Sequence, residues 1–200
     1  QGARNAIAAG FDDVEVHGAN GYLIDQFLRD TPKQRTDAYG GSLENRARLL
    51  FEVLTAVTQA IASERVGLRL SPLNSFNSMK DSDPLALIGF LADRLNAFKL
   101  AYLHVMRADF FGVQKADVMP VAREKYKGVL VGNMGYSADE AEAAIAEGKL
   151  DAVAFGTAFL ANPDLPARIR AKAPLNAPDA NTFYEGGAKG YTDYPTLQVA

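Results

Sequence analysis

Gly128-Val129-Leu130-Val131-Gly132-Asn133-Met134-Gly135-Tyr136-Ser137-Ala138-Asp139-Glu140 decides the fold. Residues 128–133 are mostly apolar and include β-branched side chains, the composition of a buried strand. Gly132 to Gly135 supply a turn. Ser137, with Glu140 three residues on, is a capping box whose two side chains serve the first free N–H groups of a helix. Strand, glycine turn and capped helix make one β/α unit.

The unit recurs on both sides. Towards the C-terminus the helix ends near Glu147, with Gly148 behind it; Ala152-Val153-Ala154-Phe155-Gly156 is a strand, and Asn162-Pro163-Asp164 opens a last helix to about Lys172. Towards the N-terminus, residues 115–126 read as a helix and Tyr102-Leu103-His104-Val105 as a strand. Asp83-Pro84 opens a helix to about Ala97, with a cap and a proline at its first position. Val66-Gly67-Leu68-Arg69-Leu70-Ser71 is another strand. A helix is expected over about 42–62, because Ser42 can cap it and Leu43, Ala47, Leu50, Leu54 and Val57 recur at helical spacing. Residues 18–41 read as a long irregular connection. Val14-Glu15-Val16-His17 is the first strand, and it follows a helix end at 3–9 that Gly10 stops.

Short, nearly all-apolar strands alternating with helices imply an α/β domain with a parallel sheet buried on both faces. An open doubly wound sheet and a (β/α)8 barrel are both compatible with that periodicity. No G-x-G-x-x-G follows a strand, which counts against a dinucleotide fold. The polar and glycine residues gather just after strand ends, where a barrel keeps its chemistry. A barrel takes about 250 residues, so five strands in 200 residues leave three strands to be found elsewhere.

Composition narrows the function. The chain is 48% hydrophobic and 22% charged, which is ordinary for a globular domain. Its net charge of −3 and scattered basic residues offer no nucleic-acid surface. Cysteine is absent, which excludes disulfides, thiolate metal sites and cysteine nucleophiles and is compatible with a cytoplasmic location. No apolar run reaches the roughly 20 residues of a membrane helix. The start Gln1-Gly2-Ala3-Arg4 is neither a signal peptide nor a translation start, so the chain is expected to begin inside a larger design.

Three groups of residues can carry chemistry. His17 and Asn20, just at and beyond the first strand, are neutral hydrogen-bond donors able to hold a carbonyl oxygen as negative charge builds on it. Tyr22 is a weak acid suited to delivering a proton. Gly18 and Gly21 let the backbone turn there. The alternative is a structured loop in which His17 satisfies a buried backbone group. Arg69, inside an apolar strand, needs either a carboxylate partner or an electron-rich ligand. Gly132-Asn133-Met134-Gly135 and Gly156-Thr157 follow late strands, where free backbone N–H groups can cradle a phosphate. His104 reads as a core or rim residue. With two histidines and no cysteine, no metal site is expected. Phe76, Phe110, Phe111 and Tyr184 can line a pocket for a planar substrate. The charges of 35–48 read as loop-fixing pairs and a solvated helix face.

His17-Gly18-Ala19-Asn20-Gly21-Tyr22-Leu23-Ile24-Asp25-Gln26-Phe27-Leu28 and Arg35-Thr36-Asp37-Ala38-Tyr39-Gly40-Gly41-Ser42-Leu43-Glu44-Asn45-Arg46 closely resemble Old Yellow Enzyme-type flavoproteins. So do Gly67-Leu68-Arg69-Leu70-Ser71-Pro72, Gly132-Asn133, Phe183-Tyr184 and Gly190-Tyr191-Thr192-Asp193-Tyr194-Pro195. The resemblance implies a (β/α)8 TIM barrel, with residues 1–200 as the C-terminal part of one domain and about its last five β/α units. It also implies non-covalent FMN reduced by NADPH or NADH, and hydride transfer to an activated alkene such as an enone, maleimide or nitroalkene. His17 and Asn20 would bind the substrate oxygen and Tyr22 would supply the α-proton. Arg69 would face the N1/O2 edge of the flavin. Gly132, Asn133, Met134, Gly156 and Thr157 would hold the phosphate, and Phe76 and Tyr184 would flank the substrate. Many members carry Arg where this chain has Thr157, which can donate one hydrogen bond but no charge. The expected partner is the complementary N-terminal half of the barrel. Two other readings stay open: a barrel that binds a phosphorylated metabolite, such as an aldolase, although no strand carries the Schiff-base Lys that this would use, and a non-catalytic fragment that binds its complementary half.

Overall fold

The computed structural model describes residues 1–31, 35–184 and 186–197. These residues contain five strands: β1 (Val14–Gly18), β2 (Val66–Leu70), β3 (Tyr102–Met106), β4 (Leu130–Asn133) and β5 (Ala152–Ala154). The sheet runs in the order β1-β2-β3-β4-β5. β1 to β4 pair in parallel, with His17 opposite Arg69, Arg69 opposite His104, and His104 opposite Val131. The helices are α1 (Gly2–Ala8), α2 (Leu23–Leu28), α3 (Leu43–Ile61), α4 (Pro84–Leu95), α5 (Val118–Lys125), α6 (Ala138–Ala146), α7 (Thr157–Ala161) and α8 (Leu165–Ala171). Among the described residues no helix is long and apolar enough to cross a membrane.

The expected caps form. Ser42 accepts from Asn45 N at 3.3 Å, Asp83 from Ala86 N at 2.9 Å and Ser137 from Glu140 N at 3.1 Å. Each satisfies a donor that the helix itself leaves unpaired. Two short helices were not expected. α2 lies inside the stretch read as irregular, and α7 follows the last strand directly. Neither has a side-chain cap. α2 exists because Ile24 and Leu28 join the core, so tertiary packing stabilises a helix that six residues would not hold alone.

Two compact units make up the chain, Gln1–Val153 and Ala154–Ala200. The core of the first joins Leu50 and Leu54 of α3, Leu87, Ile88 and Leu91 of α4, and Val66, Leu68, Leu70, Leu103, Val105 and Leu130 of the sheet. The second unit is braced by Arg168, which donates to Asp164, to Pro174 O and to Pro195 O at 2.7 Å each.

The sheet departs from the expectation of burial on both faces. The face carrying Val66, Leu68 and Leu70 is apolar and covered. The opposite face carries Glu15, His17, Arg69, Tyr102 and His104, and Glu15 and His17 are exposed. Strand alternation puts these polar residues together. Gly67 makes room among them, since a Cβ there would come within 2.2 Å of the Tyr102 ring.

Candidate active site

His17 is the penultimate residue of β1 and lies directly beside Arg69 of β2. Partial burial, and then the nearby Arg69 charge, push the His17 imidazole below its ordinary pKa. The ring is therefore neutral at neutral pH and can donate one N–H without carrying charge. Three residues on, the backbone turns sharply: Asn20 adopts φ 58° and Gly21 φ 71°. A side chain at Gly21 would press on Phe76 O at 2.7 Å and on Asn77 Cβ at 2.6 Å, so only glycine fits. The turn swings Tyr22 back over β1. Its ring centroid lies 5.5 Å from that of His17, tilted by 59°. Tyr22 is 55% exposed. The structure thus brings His17, Asn20 and Tyr22 to one strand end.

A buried ionic network holds this turn. Asp25 on α2 accepts from Gly21 N at 2.8 Å. Its other oxygen lies 3.7 Å from Nη1 of Arg29. Arg29 donates to Ser71 O at 2.9 Å and to Gln114 Oε1 at 2.6 Å. Gln114 donates in turn to Asp81 O at 2.9 Å, and Asp81 binds Arg46 at 2.6 Å. Asp109 accepts from Ser75 N and Val113 N, both at 2.8 Å. The connections after β1, β2 and β3 are thereby tied together by buried side chains. None of these residues except Arg46 falls in the charge-rich stretch 35–48, and the contacts that join the three connections span 33 to 85 positions.

Burial pushes the Asp25 carboxyl up to about 6, against the pull of Arg29 and the Gly21 N–H. Between the ordinary carboxyl value and about 6 the folded chain holds a proton that the unfolded chain has shed, so this group's contribution to stability falls as pH rises. Asp25→Asn removes the titration and keeps an acceptor for Gly21. Relative to wild type, the variant is expected to gain about 2 kcal/mol of stability between about pH 4 and pH 7. Urea unfolding of both proteins at the two pH values checks this. A difference that does not change with pH would contradict it.

Arg69 is half-buried. Its Nη2 donates to Asn133 Oδ1 at 3.0 Å, and its buried Nε has no hydrogen-bond partner. No carboxylate lies within ion-pair distance of it among the described residues, so the salt-bridge alternative for this arginine is not what the structure contains. His104, the next residue across, gives its Nδ1 to Glu15 at 2.9 Å. The loop after β4 is gripped by Arg107 at the end of β3, which donates to Met134 O at 2.9 Å and to Gly135 O at 2.8 Å. Arg107 also stacks on Tyr136 at 3.6 Å and pairs with Glu140. Met134 and Gly135 have positive φ, 86° and 70°. Gly132 is needed for packing, since a Cβ there would lie 2.5 Å from Leu150 Cδ1. Phe76 is 41% exposed and stacks on Phe111, with centroids 6.5 Å apart.

In the second unit, Gly156 precedes α7 and a Cβ there would meet nothing within 4 Å. Thr157 is the first residue of α7. Tyr184 is 96% exposed, edge-on to Phe183.

A family model described as NADH:flavin oxidoreductase / NADH oxidase matches residues 1–176. The chain belongs to this flavin oxidoreductase family. Within it, the chain is 61% identical over 196 residues to the "Probable flavin mononucleotide-dependent alkene reductase" of Leishmania infantum, covering 98% of this chain and 53% of that protein. It is 44% identical to 12-oxophytodienoate reductase 2 of Arabidopsis thaliana, covering 98% and 54%. Among solved flavin oxidoreductases, the old yellow enzyme from Trypanosoma cruzi superposes with a TM-score of 0.96 at 46% identity, covering 98% of this chain and 53% of that one. Morphinone reductase gives a TM-score of 0.92 at 46% identity, with the same coverage. The five-stranded parallel sheet is thus part of an old yellow enzyme TIM barrel. The chain spans about half the length of the curated relatives it matches.

Proposed function

We propose that this chain carries the substrate-binding and proton-delivering part of an FMN-dependent ene-reductase, with NADPH or NADH as reductant. One observation carries the reading: His17 and Tyr22 stand 5.5 Å apart at the end of the strand whose neighbour presents Arg69. The residues suit the cofactor. Arg69 offers an unused, buried Nε–H beside its bond to Asn133, a cation matched to an electron-rich ring edge. Gly156 precedes the first residue of α7, where backbone N–H groups without a helical partner could meet a phosphate. Arg69, Gly132, Asn133, Met134, Gly156 and Thr157 would hold the FMN, and Phe76 and Tyr184 would border the alkene.

FMN, when bound, supplies the hydride that adds to the β-carbon. His17 and Asn20 donate hydrogen bonds to the carbonyl or nitro oxygen and stabilise the negative charge that collects there. Tyr22 gives its phenolic proton to the α-carbon. Its 55% exposure lets solvent return that proton. The net change is one hydride from the nicotinamide and one proton from water added across the C=C bond.

The polar stripe of Glu15, Arg69, Tyr102 and His104 lies on the face opposite the covered apolar one, which supports completion of the barrel by further strands. A complementary N-terminal segment, in the same or a separate polypeptide, would supply them. We place the enzyme in the cytoplasm, in keeping with a chain that has no cysteine. Isotope placement tests the chemistry. Label from deuterated nicotinamide should appear only at the β-carbon of the product, and solvent deuterium should appear at the α-carbon in D2O. Nicotinamide deuterium at the α-carbon, or an α-carbon left unlabelled in D2O, would rule out this division of labour. A completed, flavin-loaded protein with no turnover would support the non-catalytic reading instead.

A further inference from the structure

Asn20 can serve an oxygen atom only if its NH2 end faces the substrate. Asparagine amides are nearly symmetric in shape, so something must set the direction. The connection after β2 supplies three contacts to this one residue. Ser71 Oγ accepts from Asn20 N at 2.7 Å, Asn77 Nδ2 reaches Asn20 O at 3.5 Å, and Asn74 Nδ2 donates to Asn20 Oδ1 at 2.8 Å. Asn74 is fully buried, at 0% exposure.

The direction follows from a group with only one possible polarity. A backbone N–H can donate and cannot accept. Phe76 N points at Asn74 Oδ1 at 3.4 Å, so the end of the Asn74 amide facing that N–H is oxygen. The other end, NH2, then faces Asn20. Asn20 must meet it with oxygen, because two NH2 groups at 2.8 Å would repel. The remaining end of the Asn20 amide is then its Nδ2, a donor turned away from Asn74. Polarity passes from the Phe76 backbone through Asn74 to Asn20. Arg29 holds the middle of this relay by donating to Asn74 O at 3.4 Å.

Resting on the ene-reductase reading, we infer that Asn74 is a positioning residue that sets Asn20 as a hydrogen-bond donor to the substrate oxygen. Asn74 does not itself touch substrate. Without it, Asn20 could present Oδ1 to an oxygen atom and repel it.

Asn74→Asp tests this with almost no change of shape. One carboxylate oxygen would still accept from Phe76 N, but the other could only accept, so Asn20 would turn its NH2 inward and its oxygen outward. The probe is 4-nitrophenolate, titrated into the FMN-loaded, completed enzyme and followed by absorbance. The Kd is expected to rise about 10- to 100-fold, the effect of one hydrogen bond to a charged group, with FMN content unchanged. The KM for an enone should rise in parallel. Asn20→Ala has already lost the donor, so in that background Asn74→Asp should add little. Equal losses in both backgrounds would mean a merely structural role and overturn the inference, as would wild-type phenolate affinity in Asn74→Asp. Asn74→Ser is the second variant if the first does not fold. Its hydroxyl can still accept from Phe76 N but is one bond too short to reach Asn20, so it should also raise the Kd in the wild-type background and add little in Asn20→Ala, and equal losses in both backgrounds would count against the relay. Phenolate binding without alkene reduction in the wild type would remove the ene-reductase reading and leave the double-mutant comparison to decide the role of Asn74. A wild type that binds no phenolate overturns the inference itself.

Discussion

Tyr22→Phe is expected to slow alkene reduction by about 10²- to 10⁴-fold, the usual range for loss of a positioned acid, while flavin reduction by NAD(P)H keeps its rate. The asymmetry is the point of the prediction. Only the alkene half-reaction ends with a proton on carbon, and only Tyr22 among the three strand-end residues has an acidic proton to give at neutral pH. The His17 imidazole is already neutral, held down by burial and by Arg69, so its N–H serves as a donor and a poor acid. The phenyl ring left by the substitution would keep the contact with His17, now at 5.5 Å, so the loop should stay in place. Stopped-flow measurement of both half-reactions separates the outcomes. Equal slowing in the two would remove the proton-donor role.

Removal of the proposed oxygen-binding donors is expected to cost about 10²- to 10³-fold in alkene reduction for each of His17→Ala and Asn20→Ala. The two losses should not add fully, since in the proposed mechanism both groups serve one oxygen and the remaining donor can re-aim. The effect should scale with the charge on the ligand. A phenolate should lose more affinity than a neutral aromatic of the same shape, because hydrogen bonds to charged groups are the stronger ones. Losses that are equal for charged and neutral ligands would point to a collapsed loop. Asn20 carries the greater folding risk, since its φ of 58° suits Asn better than Ala.

Local encoding explains what could be read from the sequence. Ser42, Asp83 and Ser137 declared their helices because a cap acts on the next three residues. The strand-end residues His17, Asn20 and Tyr22 stood out because chemistry-bearing types sat beside glycines. α2 and α7 stayed hidden because six and five residues are too few to show a helical period, and neither has a capping side chain to announce it. The loop-binding network was hidden for a different reason: Arg29 reaches Ser71 across 42 positions and Gln114 across 85. Such pairings have no local period. Asn74 looked like one more loop asparagine, and its contact with Asn20 spans 54 positions. The polar face of the sheet did have a signal. Glu15 and His17, Gly67 and Arg69, and Tyr102 and His104 all sit two apart, the spacing of one strand face, and this outweighs the apolar average that suggested burial on both sides.

The most direct test of the account is the visible absorption of FMN titrated into the chain, alone and together with a complementary N-terminal barrel segment. A protein-bound flavin spectrum that NADPH bleaches and an enone restores is the predicted result. A flavin that stays free in both samples, or one that binds and is reduced but never reoxidised by any activated alkene, would contradict it.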